Sequence, residues 1–329
     1  MIAITSHQAA WGFACGRIAV LEGKLLSHDF FVGLLSQVRI EDMLRQLQDT
    51  PLRDHVTSGA AWNDWSGIID AYFHDEVVSI RHDCPSPEIA NLFLLQRDYL
   101  NLKRAVVRRA DFPFAPGAVT AQELAQIAAG DLGRVESPTK ESVEAVWKRA
   151  QDDDFDSQLD LLMDGVFLRH LLALADATGV ELVIACVREY VLVRAMLALW
   201  RGLEQGMTPS EFERCVLPLD GVGETLQRLL QAGPVENWPA ALPVDIAKRL
   251  RQALEMPKAE RIQHFDLISS NALTELAGSG RYQVAGPERV FSYFSALEAD
   301  VYNLKLAVCG RLSRINSALL RRRLRVSHG

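Results

Sequence analysis

One six-residue pattern occurs three times in this chain, at residues 98–103, 189–194 and 300–305. Each copy begins with an acid and ends five residues later with a base: Asp98 and Lys103, Glu189 and Arg194, Asp300 and Lys305. Five residues of helix turn through roughly 140°, so the acid and the base of one copy cannot form an ordinary i,i+4 ion pair. Each of these charges therefore needs a partner elsewhere in the protein.

Apolar residues surround each copy in the same register. Five positions, spaced alternately by three and four residues, predict one apolar stripe along a helix. They are Leu92, Leu95, Tyr99, Leu102 and Val106 in the first copy, Val183, Cys186, Tyr190, Val193 and Leu197 in the second, and Phe294, Leu297, Val301, Leu304 and Val308 in the third. The copies lie about 91 and about 111 residues apart, which predicts three helical units, 1–113, 114–206 and 207–329, rather than a solenoid of short repeats.

Composition restricts the class of protein. No segment shows sustained two-residue alternation, so the sequence predicts an all-α fold. The chain has 329 residues and a formal net charge of −7, which argues against general nucleic-acid binding. Its most apolar segment, residues 180–200, contains four charged residues, so a membrane span there would be very costly. Five cysteines without CxxC spacing, and no signal-peptide pattern, favour a cytosolic protein.

Local signals predict several helix ends. Thr120 and Thr208 are each followed three residues later by a glutamate, which is typical of a capping box. The helix of the third copy is predicted to continue to Ile315. Periodicity near the N-terminus predicts one uninterrupted helix over residues 30–47, and the Pro- and Gly-containing segment 111–117 predicts a linker.

Two polar clusters could indicate an enzyme, but each has a simpler interpretation. The pairs His74-Asp75 and His82-Asp83 are eight residues apart, whereas metal ligands on one helix need a spacing of three or four. The acidic segment 152–156 lacks the glycine and the closing glutamate of a calcium loop. No phosphate-binding loop and no GxSxG signature occurs. The sequence therefore predicts no catalytic residue, no metal or cofactor site and no small-molecule substrate.

Four parts of the chain resemble one protein family. They are residues 16–26, residues 40–50, the three repeated helices, and the segment from 286 to 312 with the arginine-rich tail that follows it. In these parts the chain resembles the C-type subunits of the V-type and A-type rotary ATPases, a family that includes the d-type subunits of eukaryotic V-ATPases. The likeness extends over nearly the full length of the chain.

The second copy of the motif departs from the family pattern. It has Leu192 where the other two copies have Asn101 and Asn303, and Trp200 where they have Arg109 and Arg311. The sequence therefore does not predict a fixed interhelical hydrogen bond at this position of the middle unit.

The resemblance implies a non-catalytic part of a rotary motor. In that family, three similar helical units form a funnel with approximate threefold symmetry, which joins the central shaft to the proteolipid ring in the membrane. The implied partners are shaft subunits and that ring, and the implied location is the cytoplasmic side of a membrane, in peripheral association. The alternative is an unrelated all-helical scaffold that binds other proteins. A weaker alternative is a metal-dependent hydrolase that uses the His-Asp pairs.

Two groups of polar residues are candidates for an interface. The first comprises the motif positions Asp98, Asn101, Lys103, Glu189, Arg194, Asp300, Asn303 and Lys305. These residues either hold neighbouring helices together or place some of the bases where they meet the shaft. The second comprises the C-terminal arginines Arg311, Arg321, Arg322 and Arg323, in a basic cluster that also contains Arg314 and Arg325. They form a solvated helix face or contact acidic groups of a partner or anionic lipid headgroups, and without interleaved aromatic residues they do not predict nucleic-acid binding.

Overall fold

The computed structural model describes residues 9–57, 64–106, 116–135, 139–149 and 155–327, and the regular secondary structure of these residues is helical throughout. The α-helices in this part of the chain are α1 Gly12–Leu21, α2 His28–Ser36, α3 Ile40–Gln46, α4 Arg53–Thr57, α5 Trp65–Arg81, α6 Glu88–Val106, α7 Ala121–Ala129, α8 Thr139–Arg149, α9 Phe155–Thr178, α10 Glu181–Glu204, α11 Pro209–Val216, α12 Gly223–Ala232, α13 Val244–Leu254, α14 Arg261–Gly278, α15 Pro287–Leu312 and α16 Ser317–Arg321. The all-α fold class is therefore confirmed.

The chain forms two compact units. Unit 1 comprises Met1–Leu94 and Thr274–Gly329, and unit 2 comprises Leu95–Leu273. The chain passes from one unit to the other within α6 and within α14. The division into three units stays a prediction, and its boundary at residue 113 lies outside the described residues. The same holds for residues 111–115 of the predicted linker and for residues 152–154 of the acidic segment.

Unit 1 is built around α15, which carries the third copy of the motif. This helix packs against α5, α2 and α1. Phe93, from the start of α6, contacts Phe291 and Phe294 of α15, with ring centroids 5.3 Å apart in both pairs. Aromatic pairs of this kind bury a large apolar area. Because α15 has neighbours on several sides, four of its six motif residues are buried, and Tyr302 and Lys305 are partly exposed.

Unit 2 contains a helical hairpin of α9 and α10, joined at Gly179, whose φ of +64° suits glycine. Helix α11 lies very close to α9 at Gly165. The space there is so small that a Cβ atom at this position would collide with the carbonyl oxygen of Cys215. Trp200 of α10 packs against Trp238 and Phe265, with centroid distances of 6.4 Å and 6.3 Å. The tryptophan that replaces the arginine in the second copy is therefore part of a buried aromatic cluster.

The structure confirms some predicted helix ends and corrects others. Thr120 and Thr208 both form complete capping boxes, as predicted. The single helix predicted over residues 30–47 is wrong, because α2 ends at Ser36 and α3 begins at Ile40. The guanidinium of Arg311 donates hydrogen bonds to the backbone carbonyls of residues 37 and 38, at 3.1 Å and 3.2 Å. These two carbonyls therefore accept from a side chain instead of from a helix backbone.

The helix of the third copy is also shorter than predicted. It ends at Leu312 instead of Ile315. The backbone N–H of Ile315 donates to the carbonyl of Gly310 at 2.9 Å, and Arg314 between them has a φ of 60°. This arrangement is the common way in which a left-handed residue ends a helix, although glycine usually occupies that position.

The predicted apolar stripe is buried in all three copies. Every one of its fifteen residues is buried except Tyr190, which is partly exposed. This burial confirms the prediction that each copy forms a helix with one apolar face packed against its neighbours. None of the described helices combines the length and the apolar character that crossing a bilayer requires.

Candidate functional site

The acids of the first and third copies make the same kind of backbone contact. A carboxylate oxygen of Asp98 accepts a hydrogen bond from the backbone N–H of Val119 at 2.8 Å, and one of Asp300 accepts from that of Leu26 at 2.7 Å. Each N–H group belongs to the residue immediately before the N-cap of a short helix, α7 or α2. Because a charged acceptor makes a stronger hydrogen bond than a neutral one, each acid fixes the start of the neighbouring helix.

The acid of the second copy contacts a side chain instead. Oε1 of Glu189 lies 2.5 Å from Nη2 of Arg249 on α13. Arg249 is buried, and loss of either partner would leave an uncompensated charge in a poorly hydrated place. This pair therefore fixes α13 against α10.

The three bases of the motif follow one common scheme. Each base forms an ion pair with an aspartate on another helix. Lys103 pairs with Asp160, Arg194 with Asp266 at 3.7 Å, and Lys305 with Asp70 at 2.6 Å. These aspartates lie on α9, α14 and α5, which are the helices that directly precede the next motif helix along the chain. For the third copy, the next motif helix is that of the first copy, so the order of partners returns to its beginning.

Sequence reasoning missed these three aspartates, although a signal for them exists. Asp70 precedes Lys103 by 33 residues, Asp160 precedes Arg194 by 34, and Asp266 precedes Lys305 by 39. An aspartate thus recurs at a similar distance before each motif base. Each of these aspartates, however, pairs with the base of the preceding copy, so a search within one repeat would not identify its partner.

The motif asparagine of the third copy holds the C-terminal segment. The amide group of Asn303 donates to the backbone carbonyl of Arg325 at 3.0 Å and accepts from the backbone N–H of the same residue at 2.8 Å. The guanidinium of Arg325 lies 3.7 Å from the ring centroid of Tyr302, a cation–π contact. Asn101 is also buried, whereas Leu192 fills the position in the second copy with an apolar side chain.

A cleft of about 730 Å³ lies within unit 2, and it is lined by residues of the first two motif helices and of α9. Lys103 and Arg194 both line it, together with Arg201 and the partly exposed Tyr190. The structure therefore brings together two of the three motif bases. They hold neighbouring helices and line a concave surface at the same time, so the two interpretations of the motif charges are compatible.

Asp164 gives this cleft an unusual electrostatic feature. Its side chain opens to the cleft, yet the surrounding protein removes enough water to raise the pKa of its carboxyl. The nearby cations Arg194, Lys103 and Arg201 act in the opposite direction, because they stabilise the ionised carboxylate. The cleft thus contains charges of both signs rather than a simple basic patch.

Asp300 is the most perturbed acid of the motif. Only 2% of its surface is exposed, and this burial raises the pKa of its carboxyl to about 7, against the opposing effect of the Leu26 N–H. Its second oxygen, Oδ1, has no hydrogen-bond partner. Burial raises the pKa values of Tyr72, Tyr293 and Glu76 close by, and for the two tyrosines the negative charges of Glu76 and Asp300 add to this effect. Unit 1 therefore contains an acidic group that titrates near neutral pH.

The C-terminal arginines are used in different ways. Arg311 donates to the carbonyls of residues 37 and 38 and to Ser317, and Arg321 donates to the hydroxyl of Ser36 at 2.7 Å. Arg322 is exposed, and Arg323 is half-buried. Of the four predicted interface arginines, Arg311 therefore holds the loop between α2 and α3, and Arg321 attaches α16 to the last residue of α2.

The histidine–aspartate pairs take part in ordinary polar contacts. Asp75 accepts hydrogen bonds from His55 and His74, both at 3.1 Å, and Asp83 forms an ion pair with Arg17 at 2.7 Å. Among the described residues, no three or more His, Cys, Asp and Glu side chains are grouped in a way that could hold a metal ion.

Comparison with known proteins assigns a family. A family model described as ATP synthase (C/AC39) subunit matches residues 14–323, a range that includes all three copies of the motif. A comparison with curated proteins found no match. Because the family model spans most of the sequence, the chain belongs to the ATP synthase (C/AC39) subunit family.

Proposed function

We propose that this protein is a non-catalytic central-stalk subunit of a V/A-type rotary ATPase, which couples the central shaft to the proteolipid ring of the membrane. In this proposal it is a peripheral subunit on the cytoplasmic side, and it binds shaft subunits on one side and the ring on the other. Family membership supports a place in such a complex. The contacts of the repeated motif support the specific role.

The partner scheme of the motif bases is the observation that carries the proposal. Three bases on three repeated helices pair with three aspartates in an order that returns to its beginning. This order supports three equivalent helical units with approximate threefold symmetry. A part that transmits torque must resist deformation, and densely packed helices joined by ion pairs deform little under load. The scheme therefore suits a coupling element better than a catalytic site.

We further propose that the cleft of unit 2 contacts the shaft. It is concave and lined by residues of two motif helices, and it presents Lys103, Arg194 and Arg201 beside the carboxylate of Asp164. Lys103 and Arg194 already have acidic partners within unit 2. Arg201 is exposed at the cleft, so its guanidinium is the group best placed to meet a carboxylate of the inserted shaft.

Reversing the charge of Arg201 tests this contact. Arg201→Glu is expected to weaken binding of the purified subunit to a shaft subcomplex by about 10-fold, because an attractive charge becomes a repulsive one at the contact. Calorimetry or surface-based kinetics measures the change. Arg251→Glu is the matched control, since Arg251 is exposed on α13 and does not line the cleft. Equal affinities for both variants and the unchanged protein would exclude the cleft as the shaft site.

The purified subunit is expected not to bind ATP. The sequence has no phosphate-binding loop, and a nucleotide site needs a backbone cradle for the phosphates. Titration calorimetry with MgATP is expected to show no saturable heat at micromolar concentrations. Stoichiometric binding would contradict a non-catalytic role.

A further inference from the structure

The end of α15 and the turn that follows it carry a charge that contrasts with the rest of the chain. After Asp300 the sequence contains seven basic residues and no acidic one, whereas the whole chain has a formal charge of −7. Several of these bases are used internally: Lys305 pairs with Asp70, Arg311 holds the loop between α2 and α3, and Arg321 binds the last residue of α2. Arg314 and Arg322 are exposed, and neither guanidinium has a partner among the described residues.

Apolar side chains are exposed at the same place. Val38, in the loop that Arg311 holds, is 90% exposed. Leu312, Ile315 and Leu319, in and around the turn after α15, are exposed as well. Because Arg311 binds the Val38 carbonyl and Arg321 binds Ser36, the loop and the turn lie side by side in unit 1. We call this surface, formed by Val38, Leu312, Arg314, Ile315, Leu319 and Arg322, the arginine-rich end.

Arg314 adopts a left-handed backbone conformation, which residues other than glycine rarely adopt. Its φ is 60°, and among the described residues it is the one non-glycine residue with a positive φ. Glycine is the preferred residue where a left-handed conformation ends a helix. Backbone strain often occurs at functional sites. Because the Arg314 side chain is exposed, the strain indicates that this side chain contacts another molecule.

We propose that the arginine-rich end rests on the anionic headgroups of a lipid bilayer. Charge complementarity carries this choice, because the guanidinium groups of Arg314 and Arg322 have no partner in the part of the chain that the structure describes, and the sequence after Asp300 contains no acid. Along the chain the exposed apolar residues alternate with the arginines, because Leu312 and Ile315 flank Arg314 and Leu319 precedes Arg322. This mixture suits the headgroup region, where apolar side chains enter the boundary of the acyl chains and arginines remain at the phosphates. The inference rests on the proposed function, which brings the subunit to a membrane.

Vesicle sedimentation of the full chain tests the proposal. The protein is expected to bind vesicles of phosphatidylcholine that contain about one third phosphatidylglycerol, and not vesicles of phosphatidylcholine alone. Binding is expected to weaken as salt rises, because screening shortens the reach of exposed charges. Absence of binding to the anionic vesicles at low salt would overturn the proposal.

Two matched triple variants locate the surface. Val38→Ser with Arg314→Gln and Arg322→Gln is expected to lower partition into anionic vesicles by about 30-fold or more, since each arginine contributes about 1 kcal/mol near a charged surface. The control, Val244→Ser with Arg228→Gln and Arg251→Gln, makes the same changes at exposed positions of unit 2 and is expected to keep most of the binding. Equal losses in both variants would show a general charge effect and overturn the assignment.

Arg314→Gly separates lipid binding from folding. Glycine accepts the positive φ without strain, so the thermal unfolding temperature is expected to stay the same or to rise. Vesicle binding is nevertheless expected to fall by about 5-fold, because one guanidinium is removed. Unchanged vesicle binding would show that Arg314 does not contact lipid.

Co-purification of the complex in lipid-free detergent distinguishes this inference from the proposed function. The Arg314→Gln, Arg322→Gln variant is expected to remain in the complex, because its defect concerns lipid. If it is lost there, the arginine-rich end contacts an acidic protein surface and the lipid proposal is wrong, while the coupling role stands. If the unchanged protein associates with no ATPase subunit, the proposed function fails whatever the vesicles show.

Discussion

Replacing Leu304 with alanine is expected to lower the free energy of unfolding by about 2–5 kcal/mol. Leu304 is 0% exposed and lies in the apolar stripe of α15, the helix around which unit 1 is built. The loss combines the transfer of the removed carbon atoms with the cavity that they leave, because closely packed neighbours cannot fill the space. Denaturant titration followed by circular dichroism measures the change.

Equivalent positions in the other copies provide the comparison. Leu102 and Val193 are also buried, and Leu102→Ala is expected to cost a similar amount, about 2–5 kcal/mol. Leu100→Ala is the control, because Leu100 belongs to the same motif but is 52% exposed, and it is expected to cost less than about 1 kcal/mol. A small effect at Leu304, comparable to that at Leu100, would contradict a repeat held by its apolar stripe.

Replacing Asp300 with asparagine is expected to remove a component of the pH dependence of stability. The folded-state pKa of Asp300 is about 7, whereas the ordinary value for aspartate is 3.8. The folded protein therefore binds a proton that the unfolded chain releases, so this residue makes the protein more stable as the pH falls below about 7. Between pH 8 and pH 5.5 the unchanged protein is expected to gain about 2 kcal/mol relative to Asp300→Asn. Unfolding free energies measured across this range test the sign and the size.

Glu76 requires a control, because burial also raises its pKa and it lies in the same electrostatic environment. The comparison should therefore be repeated in a Glu76→Gln background, where the contribution of Asp300 is expected to persist. Asparagine keeps an oxygen that can accept from the Leu26 N–H, so the contact itself is conserved. Parallel pH profiles for the two proteins would show that Asp300 does not titrate near neutral pH.

The apolar stripe was predictable because it is a local property of the sequence. Its spacing of three and four residues follows from helix geometry, and fourteen of its fifteen positions are buried. The exception, Tyr190, lines the cleft of unit 2 and lies 5.9 Å from the guanidinium of Arg194, measured to its ring centroid. A pattern of apolar residues cannot distinguish a packed position from one beside a cleft.

The contacts of the charged residues were only partly predictable. The five-residue separation of acid and base correctly indicated that each needs a distant partner, yet nothing local identified Asp70, Asp160 or Asp266. The break between α2 and α3 was missed for a similar reason. Arg311 binds two backbone carbonyls in this break, and every residue carries a carbonyl, so such a contact leaves no signature at the receiving position.

The discontinuity of unit 1 has a consequence for biosynthesis. Unit 2 is one continuous segment, whereas unit 1 needs residues from both ends of the chain. On the ribosome, Phe93 and Asp70 emerge long before α15 supplies Phe291 and Lys305 as their partners. The N-terminal helices of the nascent chain therefore expose apolar surface until α15 has been synthesised. Partly folded chains of this kind are prone to aggregation and bind chaperones. Messages that end prematurely, before α15 is translated, thus yield chains in which this surface is never covered, and cellular quality control will recognise them.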